Sequence, residues 1–106
     1  MSQKTQNSPE IVIENEQQQK KPRKWNVIFF NDDFTPMDFV VDVLMIIFHH
    51  TQDSAINIML AVHHQGRAIA GTYTWEIAEA KSDKVMGLAA QNEYPLQVVI
   101  EPLEGK

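Results

Sequence analysis

Trp25-Asn26-Val27-Ile28-Phe29-Phe30-Asn31-Asp32-Asp33-Phe34-Thr35-Pro36-Met37-Asp38 reads as a strand, a tight turn and the start of a helix. The run from Trp25 to Phe30 is β-branched and aromatic, as a strand requires. Thr35 suits an N-cap and Pro36 the first helical position, where a missing N–H costs nothing. Asp38 falls in the first turn, where a carboxylate meets the positive end of the helix dipole. Asn31, Asp32 and Asp33 are thereby confined to the turn. Phe39, Val40, Val43, Leu44, Ile47 and Phe48 recur at helical spacing and predict a helix from Pro36 to about Phe48.

Further along, Asp53 or Ser54 is placed to cap a second helix with Ala55, Ile58, Met59 and Val62 along one stripe, stopping before Gly66 at a C′ position. Arg67 to Tyr73 predicts a short, Ala-rich strand. Thr74 caps a third helix from Trp75 to about Gln91, with Ile77, Ala78, Val85, Leu88 and Ala89 inward. Leu96 to Glu101 predicts a last strand, ended by Pro102. The order βααβαβ implies a small sheet covered on one face by helices, a two-layer α+β fold. Trp25, Phe29, Phe30, Phe39, Phe48, Tyr73 and Trp75 are its bulky fillers, and pattern alone leaves the strand order open.

The 106 residues allow one domain. Residues 1–22 are rich in Gln, Asn, Glu, Lys and Ser, carry Pro9 and Pro22, and are expected to form a disordered N-terminal extension. Residues 23–106 form the core, about 80 residues and near the lower end for independent folding. Ile11-Val12-Ile13 is the exception in the extension, either a short docking element or three tolerated apolar residues. A formal charge of −5 argues against nucleic acid, whose phosphates call for a basic excess. Lys20-Lys21-Pro22-Arg23-Lys24 reads as a solvated linker. With no cysteine there is neither a disulfide nor a thiolate metal site. No apolar run reaches signal length or the ~20 residues of a membrane span, so a cytoplasmic protein is expected.

His49, His50, His63, His64 and the carboxylates are the raw material of a metallohydrolase. Yet no His-x-x-x-His, His-Glu-x-x-His or Gly-x-Ser-x-Gly is present, so no catalytic residue, metal or cofactor is expected. Met59, Val62 and His63 share one helix face, an apolar wall with an imidazole at its end. Together with the acceptors of the turn, that face suits a ligand with an apolar body and a cationic head.

Three motifs carry a more specific resemblance: Asn31-Asp32-Asp33-aromatic-Thr35-Pro36-Met37, then Met59-x-x-Val62-His63-x-x-Gly66, then Pro95-Leu96 ahead of the last strand. From about Lys24 to about Leu103 the chain resembles the ClpS family, adaptors that bind proteins by a destabilising N-terminal residue and pass them to a ClpA-type AAA+ unfoldase. The resemblance implies an antiparallel three-stranded sheet. It also implies that Asn31, Asp33 and His63 hold the α-amino group. Chemistry agrees, because an ammonium has three donors and an amide oxygen, a carboxylate and a neutral imidazole are acceptors.

By the same resemblance Thr35, Met37, Val40, Met59, Val62 and Leu96 line a pocket for Leu, Phe, Tyr or Trp, with Met37 crowding the β-carbon against Ile and Val. Glu76 and Lys81 match positions that touch the unfoldase's N-terminal domain, and the extension engages the unfoldase during handover. Phe34 stands where Tyr is frequent in the family and His64 where Tyr is also seen, and neither change removes an acceptor. Asp32 is assigned to turn geometry. The competing reading is a structural protein-interaction domain whose pocket is filled by its own side chains. Neither reading involves nucleic acid or membrane.

Overall fold

The computed structural model describes residues 23–103, so the expected extension over 1–22 lies outside the described residues. The elements follow the expected order: β1 (Trp25–Phe30), α1 (Met37–Ile46), α2 (Gln52–Gln65), β2 (Arg67–Tyr73), α3 (Trp75–Gln91) and β3 (Gln97–Pro102). β1 is the central strand, with β2 and β3 antiparallel on either side. Its place explains its composition. Asn26–Phe29 are all buried: Val27, Ile28 and Phe29 form a continuous apolar run rather than an alternating one, and buried Asn26 accepts from the Thr72 hydroxyl at 2.7 Å.

Val27 and Phe29 of β1 enter the core with Ala70 of β2 and Val98 of β3. The helical layer meets them with Val40, Val43 and Leu44 of α1, Ala55 and Val62 of α2, and Ala78, Val85 and Ala89 of α3. Small residues on α2 and α3 let the helices lie close to the sheet, and Phe48 fills the remaining space edge-on to Phe29 at 5.6 Å between ring centroids. Trp75 is not a core filler. It lies half-exposed at the start of α3, edge-on to Trp25 at 4.9 Å.

In β2, Gly71 pairs with Val27 and Ile69 with Ile28, leaving Ala70 as an extra residue. Such a bulge leaves one backbone group without its ladder partner. The Ala70 carbonyl instead accepts from His50 Nε2 at 2.5 Å. With that nitrogen donating, Nδ1 is left to accept from the Ser54 hydroxyl at 3.2 Å, and the α1–α2 connection is pinned to the sheet. Gly71 makes room next to the bulge, since a β-carbon there would lie 2.3 Å from the Tyr73 hydroxyl and the Tyr73 ring would have to shift.

Several element ends differ from expectation. α1 begins at Met37 with Pro36 as N-cap, and the cap makes no side-chain hydrogen bond. A residue before proline is pushed to extended backbone, so Thr35 stays outside the helix. α1 also ends at Ile46, although Ile47 and Phe48 remain buried in the turn that follows. The cap of α2 is Thr51, whose hydroxyl oxygen accepts from the Ser54 N–H at 3.2 Å. Asp53 lies in the first turn and Ser54 serves His50. β3 ends at Pro102, which is its last residue rather than the first one beyond it and pairs with Trp25, a position that an edge strand tolerates because its outer side has no ladder partner to lose.

The largest difference lies on α3. Ile77 and Leu88, expected inward, are 48% and 39% exposed, while Ser82, a polar residue, is buried between Ala78 and Val85. The core-facing stripe is 78, 82, 85 and 89, and Ile77 and Leu88 belong to a second stripe beside it.

Candidate functional site

The turn between β1 and α1 is built around Asp32. Its Oδ1 accepts from the backbone N–H of Phe34 at 2.8 Å and of Thr35 at 2.7 Å, and its Oδ2 accepts from the Thr35 hydroxyl at 2.8 Å. This is the turn role expected of Asp32. Thr35 is held as a donor rather than acting as a helix cap. Both carboxylate oxygens being engaged, Asp32 fixes the loop while Asn31 and Asp33 on either side remain exposed.

The far end of α2 is brought to this turn by one glycine. Gly66 ends α2 with φ 88°, a left-handed conformation that costs a β-carbon-bearing residue roughly 1–2 kcal/mol. Its N–H closes on the Val62 carbonyl and its own carbonyl accepts from the Asn31 N–H, both at 2.9 Å. His63, three residues before Gly66, therefore lies opposite Asn31.

Between the two elements is a cavity of about 210 Å³. Asn31, Asp32, Asp33 and His63 supply its polar side, and Thr35, Met37, Val40, Met59 and Val62 the rest. Val40 and Val62 are buried and form the floor, whereas Met37 is 46% exposed and stands at the rim. Leu96 is buried beneath, on an adjoining space of about 20 Å³ shared with Val40 and Val62. Among the described residues, no side-chain hydrogen bond engages Asn31, Asp33 or His63. His63 instead stacks edge-on with His64, centroids 5.1 Å apart. Drug-sized ligands occupy ~300–1,000 Å³, so this cavity suits a single side chain.

Glu76 and Lys81 lie elsewhere, on α3, where both line a groove of about 590 Å³. Lys81 Nζ donates to the Ile47 carbonyl at 2.6 Å and lies 5.2 Å from the Tyr73 ring centroid and 5.8 Å from that of Phe48. It is thus part of the fold as well as of the surface, a dual position the sequence did not signal. Among the described residues, no group of three His, Asp or Glu side chains is placed to hold a metal ion. No helix among them is long and apolar enough to cross a membrane.

Partial burial raises the Asp32 pKa, but the donors from Thr35 and Phe34 outweigh it, and the carboxyl lies below its ordinary value. A carboxyl lowered by folding contributes stability above its unfolded pKa of ~3.9, and that contribution is lost as pH falls through the folded value. Urea unfolding between pH 6 and pH 3 is therefore expected to show an acid loss that is smaller in Asp32→Asn. An identical loss in both proteins would exclude Asp32 as the titrating group.

A two-layer α+β domain with an acceptor-edged apolar cavity defines a small binding module. Residues 20–99 match the family model of the ATP-dependent Clp protease adaptor protein ClpS. The adapter protein ClpS of Deinococcus radiodurans is 52% identical over 83 residues, covering 78% of this chain and 74% of that protein. Its counterpart in Myxococcus xanthus is 39% identical over 107 residues, 99% of this chain and all of that one. Agrobacterium tumefaciens ClpS2 bound to L-phenylalaninamide superposes with a TM-score of 0.74 at 32% identity, over 77% of this chain and 99% of that one. The chain belongs to the ClpS family, whose members are adaptors of a protease and not enzymes.

Proposed function

We propose that this protein binds other proteins by a bulky hydrophobic N-terminal residue, Leu, Phe, Tyr or Trp, and delivers them to a ClpA-type AAA+ unfoldase in the cytoplasm. The observation that carries this reading is the convergence of three acceptor-bearing side chains, Asn31, Asp33 and His63, on the mouth of an apolar cavity sized for one side chain. An α-ammonium offers three donors, and each hydrogen bond to a charged group is worth ~1.5–3 kcal/mol. Burying a Leu or Phe side chain contributes about as much, ~1.5–3 kcal/mol. The clamp and the pocket therefore share the work, and a ligand needs both features. The phenylalaninamide bound by the Agrobacterium relative has both, an amine and an aromatic side chain. In this reading Glu76 and Lys81 face the unfoldase.

The deciding experiment compares a fluorescent peptide beginning with Phe against one beginning with Gly. Saturable binding of the first alone supports the adaptor reading; equal behaviour of the two leaves a structural interaction domain. Asp33→Ala is expected to weaken the Phe peptide by roughly 10- to 100-fold through loss of a charged hydrogen bond. Because Asp33 is exposed, the circular dichroism spectrum should be unchanged. Full affinity in this variant would remove Asp33 from the clamp.

A further inference from the structure

Apart from Lys81, which donates to the Ile47 carbonyl, the outer stripe of α3 is open to solvent or only half-covered among the described residues. Ile77, Ala80, Lys81, Lys84 and Leu88 follow one another at helical spacing, and with Ile46 from the end of α1 they line the 590 Å³ groove. Ile46 is 71% exposed. The apolar floor therefore carries a positive rim, Lys81 and Lys84, on a protein of formal charge −5. Glu76 marks the end nearest the start of α3.

We propose that this groove is occupied by the chain's own segment Glu10-Ile11-Val12-Ile13-Glu14. Three β-branched residues beside two glutamates complement an apolar floor of Ile46, Ile77, Ala80 and Leu88 that Lys81 and Lys84 edge midway along. The order of charges matches as well. Next along the chain comes Lys20-Lys21-Pro22-Arg23-Lys24, which passes the Glu76 end when Glu14 and the residues before it reach Lys81 and Lys84, midway along the groove.

Chain length allows this placement. Trp25 packs on Trp75, the first residue of α3, so the chain leaves the core beside the groove. Nine residues, 14 to 22, precede Arg23 and reach about 30 Å when extended. The groove from Ile77 to Leu88 is about 16 Å along the helix. Tethered so closely, the segment is present at an effective concentration of order mM, and a weak contact suffices to hold it. Glu76 and Lys81 are also the residues assigned above to the unfoldase. On that reading the docked segment covers the delivery surface and must leave before handover.

The absence of cysteine makes the test direct. In the full chain, Asn15→Cys carries one nitroxide, and paramagnetic broadening of backbone amides reports where the segment lies. Broadening is expected at Ile46 to His49 and along the outer face of α3 from Ile77 to Leu88. It should disappear in the same chain carrying Ile11→Asp and Ile13→Asp, whose folded core is untouched, and weaken with Lys84→Glu. Broadening confined to residues near Arg23, centred on the opposite sheet face at Ile69 and Val99, or unchanged by the Asp substitutions would overturn the proposal. So would broadening found only when spin-labelled and isotope-labelled chains are mixed, which would mean a second copy. Neither peptide nor unfoldase is present, so the outcome is independent of the peptide-binding function.

Discussion

A peptide that begins with Phe is expected to lose all measurable affinity for this protein when its α-amino group is acetylated. In the proposed clamp, the free terminus would present a cation with three donors to Asn31, Asp33 and His63, which edge one cavity. Acetylation removes the charge and leaves one N–H, so two acceptors lose their partners and the Asp33 carboxylate faces a neutral amide. Losing two charge-assisted hydrogen bonds at ~1.5–3 kcal/mol each exceeds what an exposed site of this size has to spare. The aromatic side chain is unchanged, so any remaining affinity measures the pocket alone. Equal binding of the acetylated and free peptides, by fluorescence anisotropy, would falsify the ammonium clamp while leaving an apolar peptide site standing.

Phe29→Ala is expected to cost about 3–5 kcal/mol of folding stability, the range for truncating a fully buried aromatic residue. Phe29 is 0% exposed, sits on the central strand, and meets Phe48 edge-on. No neighbour can collapse into the space without moving the sheet. A domain of this size holds roughly 5–15 kcal/mol in total, so the variant should be close to unfolding at room temperature. Phe34→Ala is the control: Phe34 is 77% exposed, and the change should fall within the ±0.5 kcal/mol or so typical of surface positions. Urea denaturation of both decides. A small loss for Phe29→Ala would mean that the core around β1 is looser than its burial implies.

The residues that line the cavity were legible as a group because they fall in two short motifs. Asp32 precedes Thr35 by the spacing of a side-chain-closed turn, and Met59, Val62 and His63 share a face by helical periodicity alone. Thr35 was misread as a cap since its hydroxyl is equally suited to donate to a neighbouring carboxylate, and only the extended backbone before Pro36 decides between the two roles. Ile77 and Leu88 were misread for a related reason. An apolar residue beside the core stripe looks the same in sequence whether it faces the sheet or an open groove.

What the amino-acid sequence by itself determined about this protein is whatever depends on neighbours a few residues away: six elements in the order βααβαβ, the turn at Asn31–Asp33, and the stop at Gly66. Only the tertiary structure placed β1 between β2 and β3, aligned the Ala70 bulge with His50, and set His63 against Asn31 through the Gly66 carbonyl. These contacts join residues twenty or more positions apart, or close a loop across two elements. Their selection rests on packing the whole core at once, which no local periodicity encodes.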